Sequence, residues 1–299
     1  MRVIVIANPA AGRAEDSAPI DEARSRLAAA GHVVDVVETA GSGDGERLAA
    51  QAARAEADLV VAAGGDGTLN EVINGLASVE GALQRCVAGI LPIGTGNDFA
   101  RMLGIEAGES AADALVAGRT RAVDLLRLND RVFLNASAGG FTAETSSQVT
   151  PGLKQAVGTL AYLIGGARAL LEYEPVHAVV DSGERRLDMD LQLFAVCNGA
   201  YIGGGHQLAP RARIDDGLFD VCLVRASSTI DFLTLLPRLS SGDHLDDEDV
   251  VYFRATELAM RFARPIKVNT DGEVLDLARC RYAIDPGAVR FAVPVDTRT

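Results

Sequence analysis

A buried strand, a glycine turn and the start of a helix follow one another in the stretch Leu59-Val60-Val61-Ala62-Ala63-Gly64-Gly65-Asp66-Gly67-Thr68-Leu69-Asn70-Glu71. Glycine lets a backbone approach a phosphate closely, and a helix N-terminus points free N–H groups at an anion. Thr68 and Glu71 also have the three-residue spacing of a capping box. The stretch alone therefore fits two interpretations, a phosphate-binding loop or an ordinary capped turn.

The same order of features returns in Gly89-Ile90-Leu91-Pro92-Ile93-Gly94-Thr95-Gly96-Asn97-Asp98-Phe99-Ala100-Arg101, where Asn97 or Asp98 is expected to cap the helix. A third glycine-bearing loop, residues 8–13, follows the first apolar strand. In doubly wound sheets, the loops at the carboxyl ends of the strands line one crevice. Three such loops predict a nucleotide-binding crevice rather than three unrelated turns.

Apolar strand signals alternate with helical signals through the first 120 residues. Strands are predicted at residues 3–7, 33–37, 59–63 and 88–91, and helices at residues 21–30, 45–57, 68–76, 98–103 and 109–117. Apolar strands separated by helices indicate a parallel sheet that is covered on both faces. The predicted fold class is α/β, with a doubly wound N-terminal domain.

From about residue 123 the strand signals follow one another more closely. A hairpin is predicted at Asn129-Asp130, between two apolar runs. Further strands are predicted at residues 176–181, 189–197, 218–225, 251–253, 257–262, 266–270 and 281–284, with helices at residues 153–171 and 228–239. This second region is expected to be mainly antiparallel β structure.

Composition narrows the class of protein. The 299 residues suffice for two domains, and the formal net charge of −13 argues against nucleic acid as a partner, because a negative surface repels polyphosphate chains. No run approaches the roughly 18 apolar residues of a transmembrane helix, and the first apolar run is too short for a signal peptide. The four cysteines and four histidines are scattered, which argues against a disulfide framework and a zinc site, and a cytoplasmic location is expected.

Residues 64–71 together with residues 91–98 resemble the motifs of the diacylglycerol kinase catalytic-domain family, in particular its soluble bacterial lipid kinases, including YegS-like and sphingosine kinase-related enzymes. The resemblance continues through residues 198–205, 209–210, 215–221 and 270–273, and so spans nearly the whole chain. A Gly-Gly-Asp-Gly run also occurs in NAD kinases and phosphofructokinases, whereas the run at residues 94–98 is much more specific. One departure is Ala11, where the family usually carries a small hydroxyl residue.

The resemblance implies a Rossmann-like nucleotide domain, similar to those of NAD kinases and phosphofructokinases, over residues 1–122. It implies a β-sandwich domain for the lipid substrate over residues 123–288, with a cleft between the domains. Residues 289–299 are expected to return to the first domain. The residues along which ATP is expected to lie are Asn8, Thr39, Gly65, Asp66, Gly67, Thr68, Asn70, Glu71, Thr95, Gly96 and Asn97.

The stretch Val268-Asn269-Thr270-Asp271-Gly272-Glu273-Val274 by itself predicts only a hairpin turn. The resemblance makes it part of the active site, because phosphoryl transfer needs a group that positions or deprotonates the attacking hydroxyl. Asp271 is the expected general base, and Glu273 is expected to share that role or to orient a metal ion. Asp66 is the expected partner of the Mg²⁺ that accompanies ATP, since Mg²⁺ prefers one or two carboxylates together with phosphates and water.

A second, structural Mg²⁺ site is implied at the acidic turn formed by residues 213–218, which by itself predicts only a turn before a strand. Its implied ligands are the Asp216 carboxylate and the backbone carbonyls of Arg213 and Leu218, with Asp215 nearby.

The expected function is an ATP- and Mg²⁺-dependent kinase that phosphorylates the hydroxyl of diacylglycerol or a related lipid. Two alternatives stay open, an NAD kinase-like enzyme and a nucleotide-binding regulator that has lost catalysis. The expected partner is a lipid at a membrane surface, reached by transient peripheral contact. The helix at residues 153–171 either packs on the β domain or covers a lipid chain. The lipid and the oligomeric state stay open, with a homodimer among the candidate arrangements.

Overall fold

A computed structural model describes residues 1–11, 17–141 and 173–295. The last two residues of the glycine-bearing loop predicted at residues 8–13 and the helix predicted at residues 153–171 lie outside the described residues. The helices are α1 Ala18–Ala29, α2 Asp44–Arg54, α3 Asp66–Ala77, α4 Ala82–Arg85, α5 Asp98–Met102, α6 Glu109–Val116 and α7 Thr229–Ser241. The strands are β1 Arg2–Ala7, β2 Val33–Glu38, β3 Leu59–Gly64, β4 Val87–Pro92, β5 Arg119–Leu128, β6 Arg131–Phe133, β7 Ala136–Gly140, β8 Val176–Asp181, β9 Arg186–Cys197, β10 Phe219–Arg225, β11 Val250–Ala255, β12 Glu257–Thr270 and β13 Glu273–Val293.

The N-terminal region is built on four parallel strands in the order β2-β1-β3-β4. Strand β3 is buried along its whole length, which is why its sequence is continuously apolar rather than alternating. Helix α1 packs against α6, and helix α2 packs against α3. The second contact is close, because a Cβ on Gly75 would lie 2.2 Å from the carbonyl oxygen of Glu46.

The C-terminal region is antiparallel. Strands β11, β10, β9, β7, β12 and β13 follow one another across the sheet, and β8 pairs with both β9 and β12. Its main core contains large side chains from several of these strands, including Phe194, Phe219, Met260 and Tyr282. Helix α7 covers a second cluster through Phe232. The mixed α/β fold with a β-sandwich-like C-terminal region therefore agrees with the coarse prediction.

Strand β13 joins the two regions. Its first part pairs with β12, its second part pairs with β5, and Phe291 is in parallel register with Ala88 of β4. The ring of Phe291 lies 5.3 Å from the ring of Phe99 in α5, so the end of the chain packs into the N-terminal core. The two strands predicted at residues 257–262 and 266–270 form one strand, β12, whose register with β13 shifts between Arg261 and Ile266.

Strand β7 was not predicted. Its sequence, Ala-Ser-Ala-Gly-Gly, lacks the β-branched and aromatic residues that favour strands. It nevertheless lies in the sheet between β9 and β12, where small residues leave room for neighbouring side chains: a Cβ on Gly139 would lie 2.3 Å from the ring of Phe194. Across residues 1–11, 17–141 and 173–295, no helix has the length and apolar character needed to cross a membrane.

Candidate active site

The two glycine turns that follow β3 and β4 touch each other. A Cβ on Gly94 would lie 2.4 Å from the Cα of Gly65, so the second loop has no room for a side chain at this contact. Backbone N–H groups of Ile93 and Gly94 also donate to the carbonyl of Gly64, at 3.1 and 3.2 Å. The carboxyl ends of β3 and β4 therefore carry one continuous glycine surface.

The residues predicted after β1 and β2 lie at the same edge of the sheet. The Asn8 amide Nδ2 donates to the Thr68 hydroxyl at 3.0 Å, which ties the first loop to helix α3. The Thr39 backbone N–H donates to the carbonyl of Ala7 at 2.9 Å. The structure thus brings Asn8, Thr39 and the glycine surface to one crevice edge.

The predicted capping box is wrong. Helix α3 begins at Asp66, its N-cap is Gly65, and Thr68 lies inside the first turn. The Glu71 carboxylate instead accepts the backbone N–H groups of Gly43 and Gly45, both at 2.9 Å, at the start of helix α2. Glu71 therefore holds two helices of the N-terminal region together.

The side chain of Asn70 is turned towards the protein interior. Its Oδ1 accepts from the Nδ2 of Asn74 at 2.9 Å, and the residue is buried. Gly67 is open, since a Cβ there would meet nothing within 4 Å. Of the residues predicted on α3, Gly67 thus leaves space beside the loop, whereas Asn70 is committed to packing.

The loop of Thr95, Gly96 and Asn97 is closed by its own side chain. The Asn97 amide donates to the carbonyl of Gly94 at 2.8 Å and its Oδ1 accepts the Gly94 N–H at 3.2 Å, while its backbone φ is +53°. Asn97 occupies the N-cap position of helix α5, but neither its side chain nor that of Asp98 accepts a hydrogen bond from the N-terminus of the helix. The Asp66 carboxylate instead accepts the N–H groups of Asp98 and Phe99, each at 3.2 Å.

Asp98 is a functional candidate that the sequence reasoning considered only as a helix cap. Its carboxylate is almost fully buried, and Oδ2 accepts the N–H of Gly204 from the C-terminal region at 2.7 Å. Oδ1 lies 3.6 Å from the Arg101 guanidinium but accepts no hydrogen bond. Burial raises the pKa of Asp98, and the negative charge of Asp66 adds to the rise. An acid directly after a Gly-Thr-Gly-Asn turn was the signal available in the sequence.

Asp271 lies in the turn between β12 and β13 with φ of +46°. Its Oδ2 accepts the N–H groups of Leu134 and Asn135 at 2.8 and 3.0 Å, and its Oδ1 accepts the N–H of Ala136 at 2.8 Å. A carboxylate offers about four acceptor positions, so one position on Oδ1 is left for a further donor. Although the residue is partly exposed, these backbone groups enclose its carboxylate.

Two opposing effects set the pKa of Asp271. Burial of the carboxylate raises the pKa to about 6, although the three N–H donors favour the charged form and lower it. The negative charge of Asp66 contributes to this rise to a smaller extent than burial does. The Asp271 turn is therefore within electrostatic range of Asp66, the first residue of helix α3.

Glu273 is occupied by an arginine. Its Oε2 accepts from Nε and Nη2 of Arg131 at 3.2 and 3.0 Å. The same guanidinium reaches Glu46 of helix α2, with Nη1 at 3.1 Å from Oε1. Glu273 thus lies beside Asp271 in sequence, but its described contacts lead to Arg131 and not to the Asp271 carboxylate.

The acidic turn at residues 213–218 lies at the start of β10, beside β5. The Asp216 Oδ1 accepts the Leu218 N–H at 3.1 Å, and its Oδ2 lies 3.4 Å from Arg254. Asp124 of β5 accepts the N–H of Gly217 at 2.7 Å. Within the described ranges, no three His, Cys, Asp or Glu side chains are grouped to hold a metal ion. One carboxylate with two backbone carbonyls is an all-oxygen set of the kind that Mg²⁺ takes.

Comparison with protein families decides the relationship. Residues 2–128 match the diacylglycerol kinase catalytic domain, and residues 136–293 match the YegS C-terminal NAD kinase beta sandwich-like domain. The chain belongs to the diacylglycerol kinase catalytic-domain family. The resemblance inferred from the motifs is confirmed, and membership of a kinase family implies ATP as the phosphoryl donor.

Curated relatives extend over almost the whole chain. A diacylglycerol kinase of Bacillus subtilis (strain 168) is 32% identical over 274 residues, covering 91% of this chain and 89% of the relative. A probable lipid kinase YegS-like protein of Pseudomonas aeruginosa is 35% identical over 277 residues, covering 92% and 90%. A crystal structure from Bacillus anthracis str. Sterne, assigned to the diacylglycerol kinases, superposes with a TM-score of 0.81 at 27% identity, covering 98% of this chain and 95% of that one.

Proposed function

We propose that this chain is an ATP- and Mg²⁺-dependent lipid kinase that transfers the γ-phosphoryl group to the hydroxyl of diacylglycerol or a related lipid. The observation that carries the proposal is the Asp271 carboxylate, which three backbone N–H groups hold while one acceptor position on Oδ1 is left. A kinase needs a phosphate-binding surface and a base, and the adjoining glycine turns after β3 and β4 offer the first while Asp271 offers the second.

Asp271 is the general base of the proposed reaction. Its Oδ1 retains one acceptor position, which suits the proton of an attacking hydroxyl. A pKa of about 6 leaves the carboxylate ionised at neutral pH yet close enough to that pH to exchange a proton efficiently. Glu273 supports Asp271 in this scheme.

The nucleotide is proposed to lie on the glycine surface. The residues that would line it are Asn8, Thr39, Gly65, Asp66, Gly67, Thr68, Thr95, Gly96 and Asn97. Asn70 and Glu71 would support this surface from behind, because their side chains are taken by Asn74 and by the start of helix α2. The contact between Gly65 and Gly94 supports this assignment, because two adjoining bare backbone turns allow a polyphosphate to approach closely. The doubly wound, Rossmann-like description of residues 1–122 belongs to the same proposal, and the parallel order β2-β1-β3-β4 supports it.

Asp66 would hold the Mg²⁺ of the nucleotide, and that ion would neutralise charge on the transferred phosphoryl group. A second Mg²⁺ would be held by Asp216 and the backbone carbonyls of Arg213 and Leu218. Support comes from the surroundings of the turn: a buried Asp220 oxygen accepts no hydrogen bond, and the charge of Asp216 helps to raise the pKa of Asp220 after burial. This second ion would hold the turn in place at the start of β10.

The lipid is proposed to reach the cleft from a membrane surface during transient peripheral contact, with the enzyme in the cytoplasm. The two curated relatives named above carry the names diacylglycerol kinase and lipid kinase, which favours a lipid over NAD⁺ as acceptor. The NAD kinase-like alternative shares the Gly-Gly-Asp-Gly run and a sandwich-like C-terminal domain, but its usual dinucleotide-site sequences are not recognisable in this chain. The regulator alternative is disfavoured by the intact Asp271 turn. The proposed assembly is a homodimer.

A coupled assay of ADP release tests this proposal. Wild-type protein is incubated with ATP and Mg²⁺, either with dispersed diacylglycerol or with NAD⁺, and Asp271→Asn serves as the matched variant. We expect the wild type to turn over the lipid and not NAD⁺. The variant should lose this turnover but still bind ATP in calorimetry. Turnover of NAD⁺ without any lipid turnover would overturn the lipid assignment, and ATP binding with no turnover of a broad lipid panel would favour the regulator.

A further inference from the structure

The Arg131 guanidinium lies between Glu46 of the N-terminal region and Glu273 of the C-terminal region. These three side chains are called the triad below. Arg131 contacts Glu273 through Nε and Nη2, and it contacts Glu46 through Nη1 at 3.1 Å and Nη2 at 2.9 Å. Each of the three side chains is about one-third exposed, with relative exposures of 32% to 38%. The planar fork of arginine suits this double contact, which a lysine ammonium cannot reproduce.

The Glu46 side of this triad leads to the glycine surface. Glu46 lies in the first turn of helix α2, whose N-terminal amides at Gly43 and Gly45 are held by the Glu71 carboxylate. Glu71 lies in the stretch, residues 59–71, that carries the first glycine turn and the first half of helix α3. Arg131 is therefore connected to that stretch through a single helix.

The other side leads to the proposed base. Glu273 is separated from Asp271 by Gly272 alone. Arg131 also begins the short strand β6, which runs directly into the N–H groups of residues 134–136 that hold the Asp271 carboxylate. The Arg131 side chain thus contacts Glu273 on one side of the Asp271 turn. The Arg131 backbone leads into residues 134–136, whose N–H groups hold the Asp271 carboxylate.

A separate contact holds the same strand in place without any charge. The buried Asn74 side chain of helix α3 donates to the carbonyl of Val132 at 2.9 Å and accepts its N–H at 3.1 Å. Because Asn74 already docks β6 on the N-terminal region, loss of the Arg131 charge leaves the two regions joined. We therefore expect the triad to affect the relative position of the two regions and not whether they stay in contact.

We propose that Arg131 is a positioning residue for phosphoryl transfer. It fixes the Asp271 turn relative to helix α2 and the glycine surface, and it engages Glu273 as an anchor rather than as a base. The proposal rests on the kinase function proposed above. Transfer in line demands close alignment of acceptor and donor, and a misplacement of about 1 Å costs on the order of 100-fold in rate.

The test compares Arg131→Met, Glu273→Gln and the double variant, with Arg127→Met as the matched control. Arg127 forms a comparable ion pair with Asp285 in the neighbouring strands and has no described contact with the Asp271 turn. We expect Arg131→Met to lower kcat by about 10- to 100-fold with the KM for ATP changed less than about twofold. Glu273→Gln and the double variant are expected to lower kcat to the same extent, because each of them breaks the contact between Arg131 and Glu273. All three variants should keep the acidic limb of the pH profile, which is the fall in rate below about pH 6 that follows from protonation of Asp271.

Other outcomes overturn the inference. It is wrong if Arg131→Met loses no more activity than Arg127→Met, or if Glu273→Gln alone removes the acidic limb, which would make Glu273 the base. Amide hydrogen exchange at residues 134–136 gives a readout independent of turnover: Arg131→Met is expected to exchange at least about tenfold faster than Arg127→Met. If the wild type turns over no lipid, the kinase proposal fails, and unchanged exchange in Arg131→Met separately refutes the positioning role.

Discussion

The rate of phosphoryl transfer is expected to follow the ionisation of Asp271. With a pKa of about 6, the carboxylate is roughly 90% ionised at pH 7 and roughly 10% ionised at pH 5, because each pH unit changes the ratio tenfold. Below pH 6 a proton occupies the oxygen that must accept the hydroxyl proton, so kcat/KM should fall about tenfold between pH 7 and pH 5. An aspartate with its ordinary pKa of about 3.9 would lose less than about a tenth of its activity over that range.

The assay measures ADP release at saturating Mg²⁺ from about pH 5 to pH 8.5, for the wild type and for Asp271→Asn. Asparagine tolerates the positive φ of this turn, but it presents an NH₂ group where one oxygen now accepts an N–H. Phosphate groups of the nucleotide also titrate near pH 6, so ATP is kept saturating at every pH, and kcat/KM of the wild type for the lipid is measured with Asp271→Asn as the blank. A wild-type kcat/KM that stays constant down to pH 5 would refute the assignment of the base and of its raised pKa.

Three further perturbations test other parts of the structure. Gly94→Ala should weaken ATP binding at least tenfold in calorimetry, because its Cβ would lie 2.4 Å from the Cα of Gly65. Asn74→Ala should lower the free energy of unfolding by about 2–4 kcal/mol in urea, since it leaves the buried N–H and C=O of Val132 without partners. Removal of Mg²⁺ by EDTA should lower the Tm of the wild type by a few degrees and leave that of Asp216→Asn unchanged.

Each perturbation has its control. Gly41→Ala introduces a Cβ with nothing within 4 Å and should bind ATP normally. Equal weakening in Gly41→Ala and Gly94→Ala would contradict the role given to the glycine contact. An unfolding free energy unchanged in Asn74→Ala would show that strand β6 is held by other contacts. A wild-type Tm insensitive to EDTA would contradict the second Mg²⁺ site.

Much of the N-terminal region could be predicted from the sequence because its strands are buried on both faces. Such strands read as continuous apolar runs, and Leu59–Gly64 was therefore placed almost to the residue. The glycine turns marked the carboxyl ends of β3 and β4 for a different reason, since a Cβ on Gly94 would lie 2.4 Å from the Cα of Gly65. Strand β7 escaped prediction because its position depends on what packs around it and not on its own residues.

The side-chain partners in the site could not be predicted, because they join residues far apart in the chain. Spacing suggested that Glu71 caps its own helix, yet it holds helix α2, 26 and 28 residues earlier. Likewise, the cap of helix α5 comes from Asp66, more than 30 residues upstream. The link from Glu273 to Glu46 runs through Arg131, an arginine outside every motif quoted from the sequence. Patterns within a short stretch of sequence predict helices and strands. The contacts of Glu71, Asp66 and Arg131 depend instead on how whole helices and strands pack against each other.

The most direct test of lipid phosphorylation is the identification of the product. Protein, Mg²⁺ and ATP labelled in its γ-phosphate are incubated with a total lipid extract, and labelled products are identified by mass spectrometry, with Asp271→Asn in parallel. The predicted result is label in a phosphorylated lipid alcohol with the wild type and none with the variant. Label confined to water-soluble products, or equal labelling of lipid by the variant, would contradict a lipid kinase that uses Asp271.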